Sequence, residues 1–199
     1  MTDDFLIVRR TPETRTYPMR IELANFYYQD AADFHRRFRL TFYSDRADFQ
    51  SVKSRRAKAY IDLRMALEAL LKSVICLRQP RNVCGKPLVG QIRAYRHNID
   101  NLARDGLKNF CVDSRFTEAI DKCRIAPVDL RYQFDAMCFR FPDDRSYYET
   151  IGSDAWLQTL EEFVGEGLRR LNEVLKRRSR IVPMEIVAQE ARDRPSDYG

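Results

Sequence analysis

The chain has 199 residues, 44% hydrophobic and 12% aromatic, with 35 Lys and Arg against 29 Asp and Glu for a net charge of +6. That apolar content excludes an intrinsically disordered chain, and the length is enough to bury a core without metal or disulfide staples. No apolar run approaches the ~20 residues that span a bilayer, and the five cysteines form no Cys-x-x-Cys pair, so membrane spanning and a cysteine zinc site are both disfavoured.

Residues 1–27 read as an irregular arm. Phe5-Leu6-Ile7-Val8 is a short extended piece, and the prolines of Thr11-Pro12 and Tyr17-Pro18 disfavour helical geometry in the residues before them. From Tyr28 onward, Ala31, Phe34, Phe38 and Phe42 recur at the spacing of one helix face. Ser44-Asp45 offers a break and a new cap. The next segment predicts a helix over 46–78. Tyr60, Leu63, Leu67, Leu70, Val74 and Leu77 form its stripe, and Ala57, Ala59, Ala66 and Ala69 admit close neighbours. Its back half is apolar on more than one side, which places it centrally in a bundle.

A loop over 79–87 precedes a second stripe, Leu88, Ile92, Tyr95, Ile99 and Leu102, which ends at Gly106. Two registers fit here: one helix over 88–104, or a break at His97 with Asn98 as the cap of a new helix. Ser114 can cap a short helix over 115–124, and Pro127 opens another irregular stretch with a turn at 141–144. Ser153 or Asp154 starts the last long helix, with the stripe Trp156, Leu160, Phe163, Leu168, Leu171 and Leu175. Glu161 and Glu162 near its start and Lys176, Arg177 and Arg178 at its end match the helix dipole. The tail from Ile181 is expected to be mobile, with Ile181, Val182, Met184, Ile186 and Val187 able to dock on a partner or pack back on the domain. The sum is an all-α, up-and-down bundle of about five to six helices over 28–180, flanked by an N-terminal arm (1–27) and a C-terminal tail (181–199).

The chain has no Walker loop, no Gly-x-Ser-x-Gly, no Gly-x-Gly-x-x-Gly and no His-Glu-x-x-His, so no cofactor or metal is expected. The odd number of cysteines suits reduced thiols and a cytoplasmic location. Cys76 and Cys138 sit among apolar neighbours and read as buried and inert. His35 reads as a helix-surface residue. If 88–104 is one helix, His97 shares a polar face with Arg93, Asp100 and Arg104, a set that suits a general acid or base as well as it suits a solvated helix face. Arg177, Arg178 and Arg180 form the densest basic run, with phosphate contact as one reading and a helix C-terminus as the other. Asp45, Glu68, Asp129 and Asp135 are scattered, and no pair among them is legible.

The helix ending in Ala66-Leu67-Glu68-Ala69-Leu70-Leu71-Lys72-Ser73-Val74, followed after a loop by His97-Asn98-Ile99-Asp100-Asn101-Leu102, resembles the HEPN family of prokaryotic helical bundles. Asp129-Leu130-Arg131-Tyr132 is similar to that family's Arg-Tyr element before the last helix, and the resemblance covers roughly 50–176. It implies one of two branches. The first holds metal-independent ribonucleases with Arg-x4-6-His at a dimer cleft. The chain departs from that motif, because three residues separate Arg93 from His97. The second holds non-catalytic domains that bind nucleotides or partner a nucleotidyltransferase. The expected function is therefore a non-enzymatic binding domain acting through a protein partner, with a nucleotide or RNA as further ligand. The site would comprise Arg93, Arg96, His97, Asp100, Arg131 and Tyr132, with the arginines holding phosphate, the tyrosine stacking and His97 hydrogen-bonding. A ribonuclease using His97 is the alternative, and a structural subunit of a larger assembly a third reading. The resemblance also implies a homodimer.

Overall fold

The computed structural model describes residues 19–43, 49, 51–80, 82–108, 110–124, 126 and 144–179, and among these every regular element is helical. In chain order they are α1 (Arg20–Phe42), α2 (Val52–Arg78), α3 (Gly85–Ala94), α4 (Ile99–Gly106), α5 (Ser114–Asp121), a 3₁₀ turn (Lys122–Arg124), α6 (Asp144–Glu149) and α7 (Asp154–Ser179). No described helix is long and apolar enough to cross a membrane.

Helix α1 begins at Arg20, eight residues before the sequence-predicted start. Met19 is its extended N-cap, and the Met19 backbone N–H donates to Glu22 Oε2 at 3.2 Å. Glu22 thus satisfies one of the free donors of the first turn and also answers the helix dipole. The extra turns bury Leu23 and Ala24, and Ser73 Oγ donates to the Ala24 carbonyl at 2.6 Å. Tyr27 and Tyr28 are partly buried and pack against the core.

Helix α2 starts at Val52, later than expected, because the Ser51 side chain accepts from the Ser54 N–H at 3.1 Å and fixes the cap there. It is the axis of the molecule. Ala57, Ala59, Tyr60, Leu63, Ala66, Leu67, Leu70, Leu71 and Ile75 are all buried, on more than one side of the helix. Helix α1 packs antiparallel to it along the largest helix–helix contact, as Ala24 beside Ser73 and Arg37 beside Asp62 show. Helix α7 runs parallel to α2. Tyr60 meets Trp156 with ring centroids 5.3 Å apart, and Arg178 Nη1 donates to the Leu77 carbonyl at 3.1 Å. Between those points a side chain at Gly167 would strike Leu70, so the glycine allows a close approach of the two helices.

The segment 88–104 is two helices. Helix α3 ends at Ala94, residues 95–97 turn, and Asn98 caps α4 by accepting the Asn101 N–H at 3.0 Å. The polar side chain of Asn98 thus decides between the two registers. Helix α5 takes Asp113 as its cap in place of Ser114, through Asp113 Oδ1 and the Arg115 N–H at 2.9 Å. Helix α7 is capped by Ser153, whose Oγ accepts from the Trp156 N–H at 3.2 Å. Trp156 Nε1 in turn donates to the Ala119 carbonyl at 2.9 Å and ties α5 to the α2–α7 pair.

Candidate functional site

An arginine and a glutamate one turn apart on a helix ordinarily lie in water. On α2 they cannot, because α1, α3, α4 and α7 pack around the helix. The Arg64 side chain is 5% exposed and the Glu68 side chain 1%. Burying charge is tolerated only when the partners satisfy it. Arg64 Nη1 donates to the Cys123 carbonyl at 2.7 Å and lies 3.4 Å from the Tyr60 hydroxyl, while Nη2 donates to the His97 carbonyl at 3.2 Å. The Tyr60 hydroxyl donates onward to the Ala126 carbonyl. Burial pushes the Tyr60 hydroxyl well above its ordinary pKa and the Cys123 thiol up to about 11, so both stay neutral beside the guanidinium.

Arg64 Nε and Glu68 Oε1 stand 3.5 Å apart, an ion pair without a hydrogen bond of good geometry, and neither atom has a hydrogen-bond partner among the described residues. The other oxygen of Glu68 is fully engaged. His97 Nδ1 lies 2.9 Å from Oε2, and Lys72 Nζ lies 4.0 Å from it. A carboxylate can only accept, so Nδ1 carries the proton of that bond and Nε2 is left for an outside partner. The His97 side chain is 51% exposed. A buried acid thus holds the base of an imidazole whose rim meets solvent.

The turn that presents His97 is strained. Arg96 has φ of 48°, the left-handed region that costs an L-residue about 1–2 kcal/mol. Two bonds hold the turn there: the Arg64 bond to the His97 carbonyl and the Glu68 bond to the ring. Such strain persists where surrounding contacts over-determine the backbone. Arg96 itself is exposed and makes no ion pair with any described residue.

The remaining residues expected around His97 separate. Asp100 pairs with Arg124 of the 3₁₀ turn at 2.6 Å. Arg93 lies on α3 near enough to Tyr27 of α1 to counter part of the upward pKa shift that burial gives that tyrosine. Arg104 pairs with its neighbour Asp105 at 3.1 Å and shares no face with His97. Arg131, Tyr132 and Arg180 lie outside the described residues, as does Cys138. Arg177 lies 4.0 Å from Glu173, and Arg178 is bound to the Leu77 carbonyl, so the basic run completes α7 and also ties it to α2.

Many other cations are likewise engaged internally. Arg37 reaches Asp62 at 3.0 Å, Arg39 reaches Glu161 at 3.2 Å, Arg56 reaches Asp154 at 2.6 Å and Arg115 reaches Glu162 at 2.8 Å. The net charge is therefore no measure of a bare basic patch. His35, read as a surface residue, is part-buried against Glu161 and Gly165, with its Nε2 3.7 Å from Glu161 Oε1. Burial lowers its pKa, Arg39 lowers it further, and Glu161 opposes both.

Glu68 and Arg64 are the residues that local reading missed. The signal was available. A helix apolar on more than one side leaves no solvated face for charges at 64, 68 and 72, so they must find partners inside. Among the described residues no group of three or more His, Cys, Asp or Glu could hold a metal ion. Chemically, the arrangement offers one oriented imidazole, the exposed guanidinium of Arg96 and one amine, Lys72, near the same Glu68 oxygen. No family model, no curated protein and no solved structure matches the chain.

Proposed function

We propose that the chain is a HEPN-like binding domain whose turn between α3 and α4 takes a phosphate-bearing ligand, a nucleotide or RNA. The observation that carries this reading is the half-exposed imidazole of His97, held by buried Glu68 and preceded on the strained turn by Arg96, which has no described ion-pair partner. An imidazole fixed at Nδ1 presents Nε2 as a hydrogen-bond donor or acceptor in a set direction. Arg96 adds a planar, permanently charged fork for phosphate oxygens. The sharply held geometry suits recognition, since a ligand that meets preordered groups loses less on binding. A separately encoded protein partner, or a second copy of the chain, is implied by the same family resemblance.

One observation favours a second reading. A carboxylate behind an imidazole is also the arrangement that orients a general base, and it supports the metal-independent ribonuclease. Binding remains the better supported of the two, because the spacing of Arg93 departs from the ribonuclease motif. Fluorescence anisotropy with labelled single-stranded RNA and with nucleotides, in EDTA, separates them. Binding without cleavage, lost in His97→Ala and Arg96→Ala, is the expected result. Cleavage abolished by His97→Ala establishes the enzyme instead, and no interaction with either ligand refutes both.

A further inference from the structure

Between α2, the connection from α4 to α5, and α7 lies an open groove of about 460 Å³. Its lining is apolar, with Leu70, Val74 and Leu77 from α2, Phe110 from the connection and Val174 from α7. Phe110 is 56% exposed and Val174 38%, a cost to a folded chain unless something covers them. Arg78, Arg170 and Arg178 stand around the rim.

The groove begins where α7 ends. Val174 and Arg178 belong to the last turns of that helix, and the chain continues from there to residue 199. Beyond the helix the sequence runs Ile181-Val182-Pro183-Met184-Glu185-Ile186-Val187, then through a stretch bearing Glu190, Asp193 and Asp197. Pro183 disfavours helical geometry at Val182, a preference that suits an extended course for this apolar segment. The lengths match. On α7 the groove runs from Phe163 to Arg178, about 22 Å at the helical rise, and the seven residues 181–187 span about 23 Å when extended. The rim also holds Asp113 and Glu166, and Glu166 pairs with Arg170 at 2.5 Å, which leaves Arg78 and Arg178 as the rim cations for Glu185 and the acids after it. A tether this short gives an effective concentration in the millimolar range, which an untethered occupant must exceed.

We propose that residues 181–187 turn back along α7 and seat their apolar side chains in this groove. The chain's own C-terminal segment is then the cover for Phe110 and Val174, and the groove is filled without a second molecule.

Cys111 is exposed and lines the groove, which makes its thiol a reporter of the cover. The test uses the full-length chain with Ile181, Val182, Ile186 and Val187 all replaced by Ser, and monitors alkylation by iodoacetamide at each cysteine by peptide mapping. Cys111 of the variant is expected to react about tenfold faster or more than in the parent. A synthetic peptide of residues 180–199 at millimolar concentration is expected to restore the slow rate. Val174→Arg, which places a charge on the groove floor and leaves the tail intact, is expected to unmask Cys111 in the same way. Equal Cys111 rates in parent and tail variant overturn the proposal. Protection in the parent that rises with protein concentration also overturns it, and assigns the groove to a second copy.

Discussion

Replacing Glu68 by Gln removes a charge from a place where water cannot replace it. With 1% of its side chain exposed, Glu68 faces an Arg64 that is 5% exposed. The variant keeps the shape but leaves a buried guanidinium with no counter-charge beyond carbonyls and the Tyr60 hydroxyl. Breaking a buried pair from one side costs about 3–5 kcal/mol, against a whole-domain stability of roughly 5–15 kcal/mol. For a chain of this size each kcal/mol moves Tm by about 2–4 °C, so Glu68→Gln should lower it by about 6–20 °C. His97→Asn should cost only about 1 kcal/mol, because the ring is half in solvent already. Urea unfolding monitored by circular dichroism at 222 nm reads both. Arg64→Met, Glu68→Leu and the two together make a double-mutant cycle on the pair. The double variant should lose less than the sum of the single losses by more than about 1 kcal/mol, the range of coupling seen between contacting groups. A Glu68→Gln loss under about 1 kcal/mol, or additivity within about 0.5 kcal/mol, refutes the buried pair as the anchor of the His97 turn.

Other consequences are as direct. Arg96→Gly relieves the left-handed strain and should leave stability unchanged or raise it by up to about 1 kcal/mol in urea unfolding, while weakening ligand binding by removal of the guanidinium. Tyr60→Phe strips the donor from the Ala126 carbonyl and a neighbour from Arg64, and should cost about 1–3 kcal/mol in the same assay. Burial pushes the Cys76 thiol up to about 12 and that of Cys123 up to about 11, so in native protein at neutral pH both should resist alkylation until the chain unfolds. Burial lowers the pKa of His35 from 6.5, so the unfolded chain takes up that proton first; the stability His35 carries above pH 6.5 is lost as pH falls through its folded value. Unfolding free energy measured from about pH 7 down to pH 5 should fall less steeply in His35→Gln than in the parent.

The helical class, the central place of α2 and the stripe of α7 were legible because 3.6-residue periodicity is a local property of sequence. Asn98 announced a break that the apolar spacing from Leu88 to Leu102 concealed, and there the cap residue outweighs the stripe. The start of α1 was hidden by Pro18, which marks a helix boundary as readily as a loop. The site was less legible. Glu68 meets His97 across 29 residues, and Arg124 meets Asp100 across 24, distances at which no local pattern carries information. Proximity in sequence grouped Arg93, His97 and Asp100, but the turn at residues 95–97 sends their side chains to three different helices or turns.

The chain has two histidines, which makes the central claim open to one spectrum. Long-range ¹H–¹⁵N correlation of the imidazole nitrogens reports His97 at the proposed site, with part-buried His35 as an internal reference in the same sample. Titration with mononucleotides and a short single-stranded RNA should shift Nε2 of His97 in a saturable way, leave His35 in place, and lose the effect in Arg96→Ala. Ligand-independent resonances for His97, or equal shifts at both histidines, would contradict a phosphate-binding turn held by Glu68.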